Sequence, residues 1–181
     1  MVMEELFPPG SKVTFVDAPC GDMTWIPLLL NELIAQSGYR IDYLGLDIVE
    51  DLILENSASV DNTPGLSCRF TQRDLTEVSP PQGDIIFCKD LINHLSFDDI
   101  RRVLVRFNES GSGYLLITSN RGHRNLDVKV MRGNASRHIN LEGYPFLLSP
   151  PLWSNGYLAL WELPIHLSNN HKQRFTPEGA P

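Results

Sequence analysis

Three aspartates stand at or just past the ends of short apolar runs in this 181-residue chain: Asp17, Asp47 and Asp74. An acid at the carboxyl end of a buried strand can accept hydrogen bonds from hydroxyls, and ligands of open α/β sheets collect at such ends. Asp47 is placed to bind a ribose diol. Gly21, in the loop after the first run, lets a ligand come close to the backbone. Together these residues describe a nucleoside site. Asp90 and His94 lie just past a fourth apolar run, where either could orient or deprotonate a hydroxyl or amine. From Arg121 to His138, five bases (Arg121, Arg124, Lys129, Arg132 and Arg137) face the single acid Asp127. That local basic patch suits a carboxylate, a phosphate or a nucleic-acid backbone. Tyr144, Phe146 and Trp153 could supply an apolar wall beside it.

The loop after the first run narrows the nucleoside. It lacks the Gly-x-Gly-x-x-Gly spacing that brings a pyrophosphate to a helix N-terminus. It carries Asp17 and Asp22, which repel a pyrophosphate and attract an ammonium or sulfonium cation. S-adenosylmethionine carries both cations and is the expected cofactor. Asp17 and Asp74 also have an ordinary reading as helix or turn caps.

The elements that must position these residues alternate. Val13–Val16, Tyr43–Asp47, Ser67–Thr71, Asp84–Cys88 and Tyr114–Thr118 read as short strands, and Gly156–Leu163 as a last one. Helices are expected from Trp25 to Ile34, with Pro27 in the first turn, and around Glu50–Leu54. A third is expected from Ser96, where Asp99 gives a variant capping box and Ile100, Val103, Leu104 and Phe107 form the apolar face. The expected fold is α/β, an open and mostly parallel twisted sheet with helices on both faces and an irregular C-terminal third. Residues 119–152 show no clean period apart from a possible short strand or turn at 128–131. Residues 1–168 are expected to form one domain, with 169–181 a frayed tail. Trp25 and Trp161 read as core, and Cys20 and Cys88 as small buried residues.

The loop Asp17-Ala18-Pro19-Cys20-Gly21-Asp22-Met23-Thr24-Trp25 resembles the first motif of class I S-adenosylmethionine-dependent methyltransferases, in a variant reading Asp-x-Pro-Cys-Gly-Asp-x-x-Trp. Leu44-Gly45-Leu46-Asp47-Ile48 is similar to the second motif, whose acid binds the ribose. Asp74-Leu75 matches the adenine position, and Asp84 to Leu95 looks like the fourth strand and its turn. The resemblance covers roughly residues 12 to 120. It implies cofactor contacts from Asp17, Pro19, Gly21, Asp22, Trp25, Asp47, Ile48, Asp74, Leu75 and Lys89. Catalytic roles then fall to Asp90 and His94, and acceptor contacts to Arg137, Asn140 and Tyr144. Two features depart from the common pattern: Pro19 and Met23 stand where the outer glycines usually fall, and the chain starts almost directly at the first strand. The site is therefore expected either to be open or to borrow its cover from residues 119–152 or from another chain. A catalytically silent methyltransferase-like binding subunit is the alternative reading. A nicotinamide-dependent oxidoreductase is a third, disfavoured by the acidic loop.

Composition sets the outer limits. The net charge of −7 leaves no global basic field, so nucleic acid is expected only through residues 121–138. Three cysteines without a Cys-x-x-Cys pair argue against a disulfide frame or a four-cysteine zinc site, and no metal is expected. No apolar run nears the length of a membrane span, and the acidic N-terminus is unlike a signal peptide, so a cytoplasmic protein is expected. The turn after the fourth strand holds no Asn/Asp-Pro-Pro-Tyr/Phe sequence, the mark of adenine or glutamine amide methylation. The acceptor is left unidentified.

Overall fold

The computed structural model describes residues 2–59, 63–128 and 136–167. Its centre is a seven-stranded sheet: β1 (Lys12–Asp17), β2 (Arg40–Asp47), β3 (Leu66–Gln72), β4 (Ile85–Cys88), β5 (Tyr114–Thr118), β6 (Trp153–Ser154) and β7 (Leu158–Glu162). The strand order is β3-β2-β1-β4-β5-β7-β6. The first five strands are parallel, and β7 runs antiparallel to both β5 and β6. Strand order therefore reverses between β1 and β4, which is where ligands of open α/β sheets collect.

Successive side chains of each strand feed opposite faces of the sheet. Phe15, Phe87, Leu116 and Leu160 pack on the side of α1 (Val2–Leu6), α2 (Ile26–Ser37) and α3 (Glu50–Ala58). Val16, Ile86, Ile117 and Trp161 pack on the side of α4 (Phe97–Glu109). α4 starts as its sequence requires, since the Ser96 hydroxyl accepts the Asp99 N–H at 3.1 Å. Ile100, Val103, Leu104 and Phe107 on its inner face are fully buried, worth roughly 1.5–3 kcal/mol each. α2 carries Pro27 in its first turn and stops at Gly38, whose φ of 66° suits glycine and whose N–H reaches the Ile34 carbonyl.

Three expectations change. A short helix, α1, precedes the first strand, where the chain was expected to start almost directly at that strand. β6 is a two-residue strand with no sequence signal of its own. Trp161 is core, but Trp25 is 42% exposed at the rim of the sheet. No α-helix stands in the described part of 119–152. Instead Ile139, Leu141, Phe146 and Leu148 join the α4-side core. Residues 129–131 of the possible strand or turn, and the tail from residue 168 on, lie outside the described residues.

Candidate functional site

A cavity of about 270 Å³ opens at the carboxyl ends of β1 to β4. Seven expected site residues line it: Pro19, Asp47, Ile48, Asp74, Leu75, Asp90 and His94. They come from four different loops, and the parallel sheet is what brings them together.

Asp47 is the fixed point. It is 6% exposed at the end of β2. One carboxylate oxygen accepts the Gly21 N–H at 3.1 Å and the other accepts the Val49 N–H at 3.0 Å. Each oxygen keeps a lone pair for a further donor. Gly21 has φ of 57°, a conformation that glycine adopts at little cost. Its carbonyl accepts from the Asn56 amide of α3 at 2.8 Å, so the loop is pinned from both sides. Asn56 was not foreseen, because a polar residue late in a helix carries no sequence signal.

Asp17 sits lower. It is 2% exposed and accepts the Tyr43 hydroxyl at 2.6 Å, and it does not line the cavity. Burial pushes its carboxyl up to about 7, against the stabilising Tyr43 bond. The Tyr43 hydroxyl is pushed up too, by its own burial and by Asp17. Asp22 points to the other side of the loop, into a second cavity of about 280 Å³ between α2 and α3. Its carboxylate accepts the Thr24 N–H at 3.1 Å, and the Thr24 hydroxyl and amide hold its pKa below the ordinary carboxylate value. Burial pushes the Cys20 thiol up to about 12 and raises that of Cys88, so neither is an activated nucleophile.

Asp74 has the capping role as well as a place on the cavity wall: its Oδ1 accepts the Thr76 N–H at 2.9 Å and the Thr76 hydroxyl at 2.7 Å. Leu75 beside it is buried, and Ile48 across the cavity is 58% exposed. An adenine ring could lie between two such apolar side chains.

The turn after β4 is the most highly connected part of the site. Asp90 has φ of 61°, which is uncommon outside glycine, and its N–H donates to the Thr118 hydroxyl at 2.9 Å. Its carboxylate meets the Lys89 ammonium at 2.5 Å, the Asn93 amide at 3.2 Å and the Tyr157 hydroxyl. Burial alone would raise its pKa. The bonds from Lys89 and Tyr157 outweigh that and hold it below the ordinary value, so Asp90 is a standing anion and a weak base. Lys89 lies 5.4 Å from the Trp25 ring and 5.8 Å from that of Tyr157. With Trp25 it lines a third cavity, on the far side of the Lys89–Asp90 pair. Tyr157 was read only as part of the last strand, because an aromatic residue in a strand carries no signal of a site. His94 is exposed on the wall of the first cavity.

The residues expected at the acceptor do not meet there, and this corrects the reading of Arg137. It is 7% exposed, and its guanidinium donates to the carbonyls of Leu126 at 2.6 Å, Asn93 at 3.1 Å and Leu95. It clamps residues 126 and 137 to the β4 turn. Asn140 and Tyr144 are bracketed by Asn125, whose amide donates to both of their carbonyls and whose oxygen accepts the Asn140 N–H. Neither lines the cavity. Of the remaining basic patch, Arg121 pairs with Glu142 at 3.3 Å and Arg124 is exposed, while Lys129 and Arg132 lie outside the described residues. Among the described residues no helix is long and apolar enough to cross a membrane.

No family model and no curated protein matches the chain. Solved structures do. An S-adenosylmethionine-dependent methyltransferase from Methanosarcina mazei aligns over 90% of this chain and 96% of its own, with 12% identity and a TM-score of 0.57. Human N-acetylserotonin methyltransferase, solved with S-adenosylmethionine, aligns over 88% of this chain and 48% of its own, with 13% identity and a TM-score of 0.55. A pericyclic reaction enzyme aligns over 93% and 47%, with 12% identity and a TM-score of 0.58. The chain thus spans about half the length of the last two. At these identities the likeness is one of fold, and a fold hosts more than one chemistry. By strand order, strand direction and these likenesses, the chain has the Rossmann-like fold of class I methyltransferases.

Proposed function

We propose that the chain is an S-adenosylmethionine-dependent methyltransferase. The observation that carries this reading is Asp47, a buried carboxylate fixed by two backbone N–H groups on the wall of a cavity at the switch point of the sheet. A ribose diol would complete its hydrogen bonding. Ile48 and Leu75 would flank the adenine, and Asp74 would meet its amino group. The Pro19–Gly21 backbone would face the amino-acid end. S-adenosylmethionine supplies an electrophilic methyl group, and the anionic Asp90 at the β4 turn would draw its cationic end toward the Lys89 side. The residues then act chiefly by holding the acceptor in line and keeping water out. Asp90 is held too low to serve as an efficient base; His94, on the same wall, would take that role for an acceptor that starts protonated.

The test is the melting temperature with and without S-adenosylmethionine and S-adenosylhomocysteine, with NAD as the control. At about 100 times the dissociation constant, binding adds about 2.7 kcal/mol. For a chain of this size that is a rise of roughly 5–10 °C. A rise with both sulfur compounds and none with NAD supports the reading. No rise at millimolar ligand overturns it.

A further inference from the structure

The second cavity, of about 280 Å³, lies between α2 and α3, on the side of the Gly21 loop away from Asp47. Its lining is divided. Leu30, Leu66 and Phe70 offer apolar surface, while Asp22, Glu55 and Asn56 offer hydrogen-bond acceptors. No lysine, arginine or histidine lines it. Among the described residues neither Asp22 nor Glu55 is in an ion pair.

Asn56 is the buried member of the three, at 5% exposure. Its amide nitrogen is taken up by the Gly21 carbonyl at 2.8 Å and the Cys20 sulfur at 3.8 Å. Among the described residues no donor reaches its oxygen, the polar atom that the amide turns away from the loop. A buried oxygen without a donor is costly, and a molecule in the cavity that brings an N–H removes the cost.

We propose that this cavity is a second ligand site, for an organic ammonium with an apolar body, and that its occupation steadies the loop that carries Gly21. An ammonium brings three donors and a positive charge to two carboxylates and an amide oxygen. An anion would meet the carboxylates with no cation to offset them. The apolar body covers Leu30, Leu66 and Phe70.

The link to the loop runs through Asn56. Gly21 and Met23 both have φ of 57°, a conformation that costs Met23 more than glycine. Met23 lines the second cavity, and the Gly21 N–H donates to Asp47 in the first at 3.1 Å. A molecule that fixes Asn56 fixes the Gly21 carbonyl, and with it the N–H that Asp47 accepts. Two ligands that order one loop favour each other's binding. The coupling rests on the methyltransferase reading, whereas the ammonium site stands without it.

Isothermal titration of the whole chain at low salt tests the assignment with 2-phenylethylamine, its neutral analogue 2-phenylethanol and the anion 3-phenylpropionate. The amine should bind at least about fivefold more tightly than the alcohol, and the anion most weakly. Glu55→Gln should reduce that preference and leave the alcohol unaffected. Cys68→Phe fills the cavity from β3, where the pleat fixes the side-chain direction, and should weaken amine and alcohol about tenfold. Saturating amine should raise the affinity for S-adenosylhomocysteine about fivefold in the native chain and leave it unchanged in Cys68→Phe. An amine preference below fivefold, a preference untouched by Glu55→Gln, or amine binding untouched by Cys68→Phe overturns the ammonium site. A preferred amine without effect on S-adenosylhomocysteine overturns the coupling alone. If S-adenosylhomocysteine does not bind at all, the cofactor reading falls with the coupling, and the amine titration still decides the site.

Discussion

The described residues of 12–118 are held by strand ladders and by apolar helix faces, whereas those of 119–152 are held in large part by side chains that reach for backbone. In the first region Phe107, Val103 and Ile100 stack at helical spacing beneath the sheet. In the second, Ser119, Asn120 and Asn125 accept the N–H groups of Leu141, Ile139 and Asn140, and Arg137 gathers three carbonyls. The cavity at the carboxyl ends of β1 to β4 belongs to the first region, and the second covers the α4 face below it. A buried segment without regular structure must satisfy its backbone groups one by one, and here amides and a guanidinium do so. Arg137, which looked like a ligand-binding group, is one that the loop uses to fold.

The largest expected effect lies in the regular region and depends on pH. In the folded chain Asp17 keeps its proton up to about 7, while the unfolded chain releases it near 4. Raising the pH through that window therefore favours the unfolded state, by about 1.4 kcal/mol per unit where only the folded carboxyl is protonated. Asp17→Asn should lack this fall, so denaturant melts of the two proteins should diverge as pH rises from 4 to 7. Parallel curves would show that Asp17 is not strained by its burial. Next in size, Arg137→Ala should destabilise by about 3 kcal/mol, because three carbonyls lose a charged donor at once. Lys should rescue little of this, since one ammonium cannot reproduce the fork. A loss under 1 kcal/mol would mean that the segment is not clamped as described. The smallest effect is expected at Asn125→Ala, about 1–2 kcal/mol by the same melts, since water can reach its bonds to residues 140 and 144.

Much of the first region was legible in the sequence. Short apolar runs located β1 to β5 to within three residues at each end, and Ser96 with Asp99 marked the start of α4. Asp47 was singled out because it closes a buried strand, and the structure sets it on the cavity wall. Pro19, Ile48, Asp74 and Leu75 came from their resemblance to known motifs, and the structure sets them on the same cavity. The basic stretch misled at Arg137, because composition reports charge and not direction. Burial of a guanidinium against carbonyls depends on residues 93, 95 and 126, far apart in the chain. Trp25 and Lys89 were assigned to the cofactor by their motifs. Their place on the other side of the β4 turn follows from which face of the sheet each side chain enters, and no linear pattern shows that.

The proposed role of Asp47 is to anchor a nucleoside with a sulfonium or thioether tail. Isothermal titration of S-adenosylhomocysteine into the native chain and into Asp47→Asn tests it most directly. One site per chain is expected, with affinity at least about tenfold lower in the variant, as for loss of a hydrogen bond to a charged group. The absence of binding heat in the native chain, or equal affinity in both proteins, would contradict it.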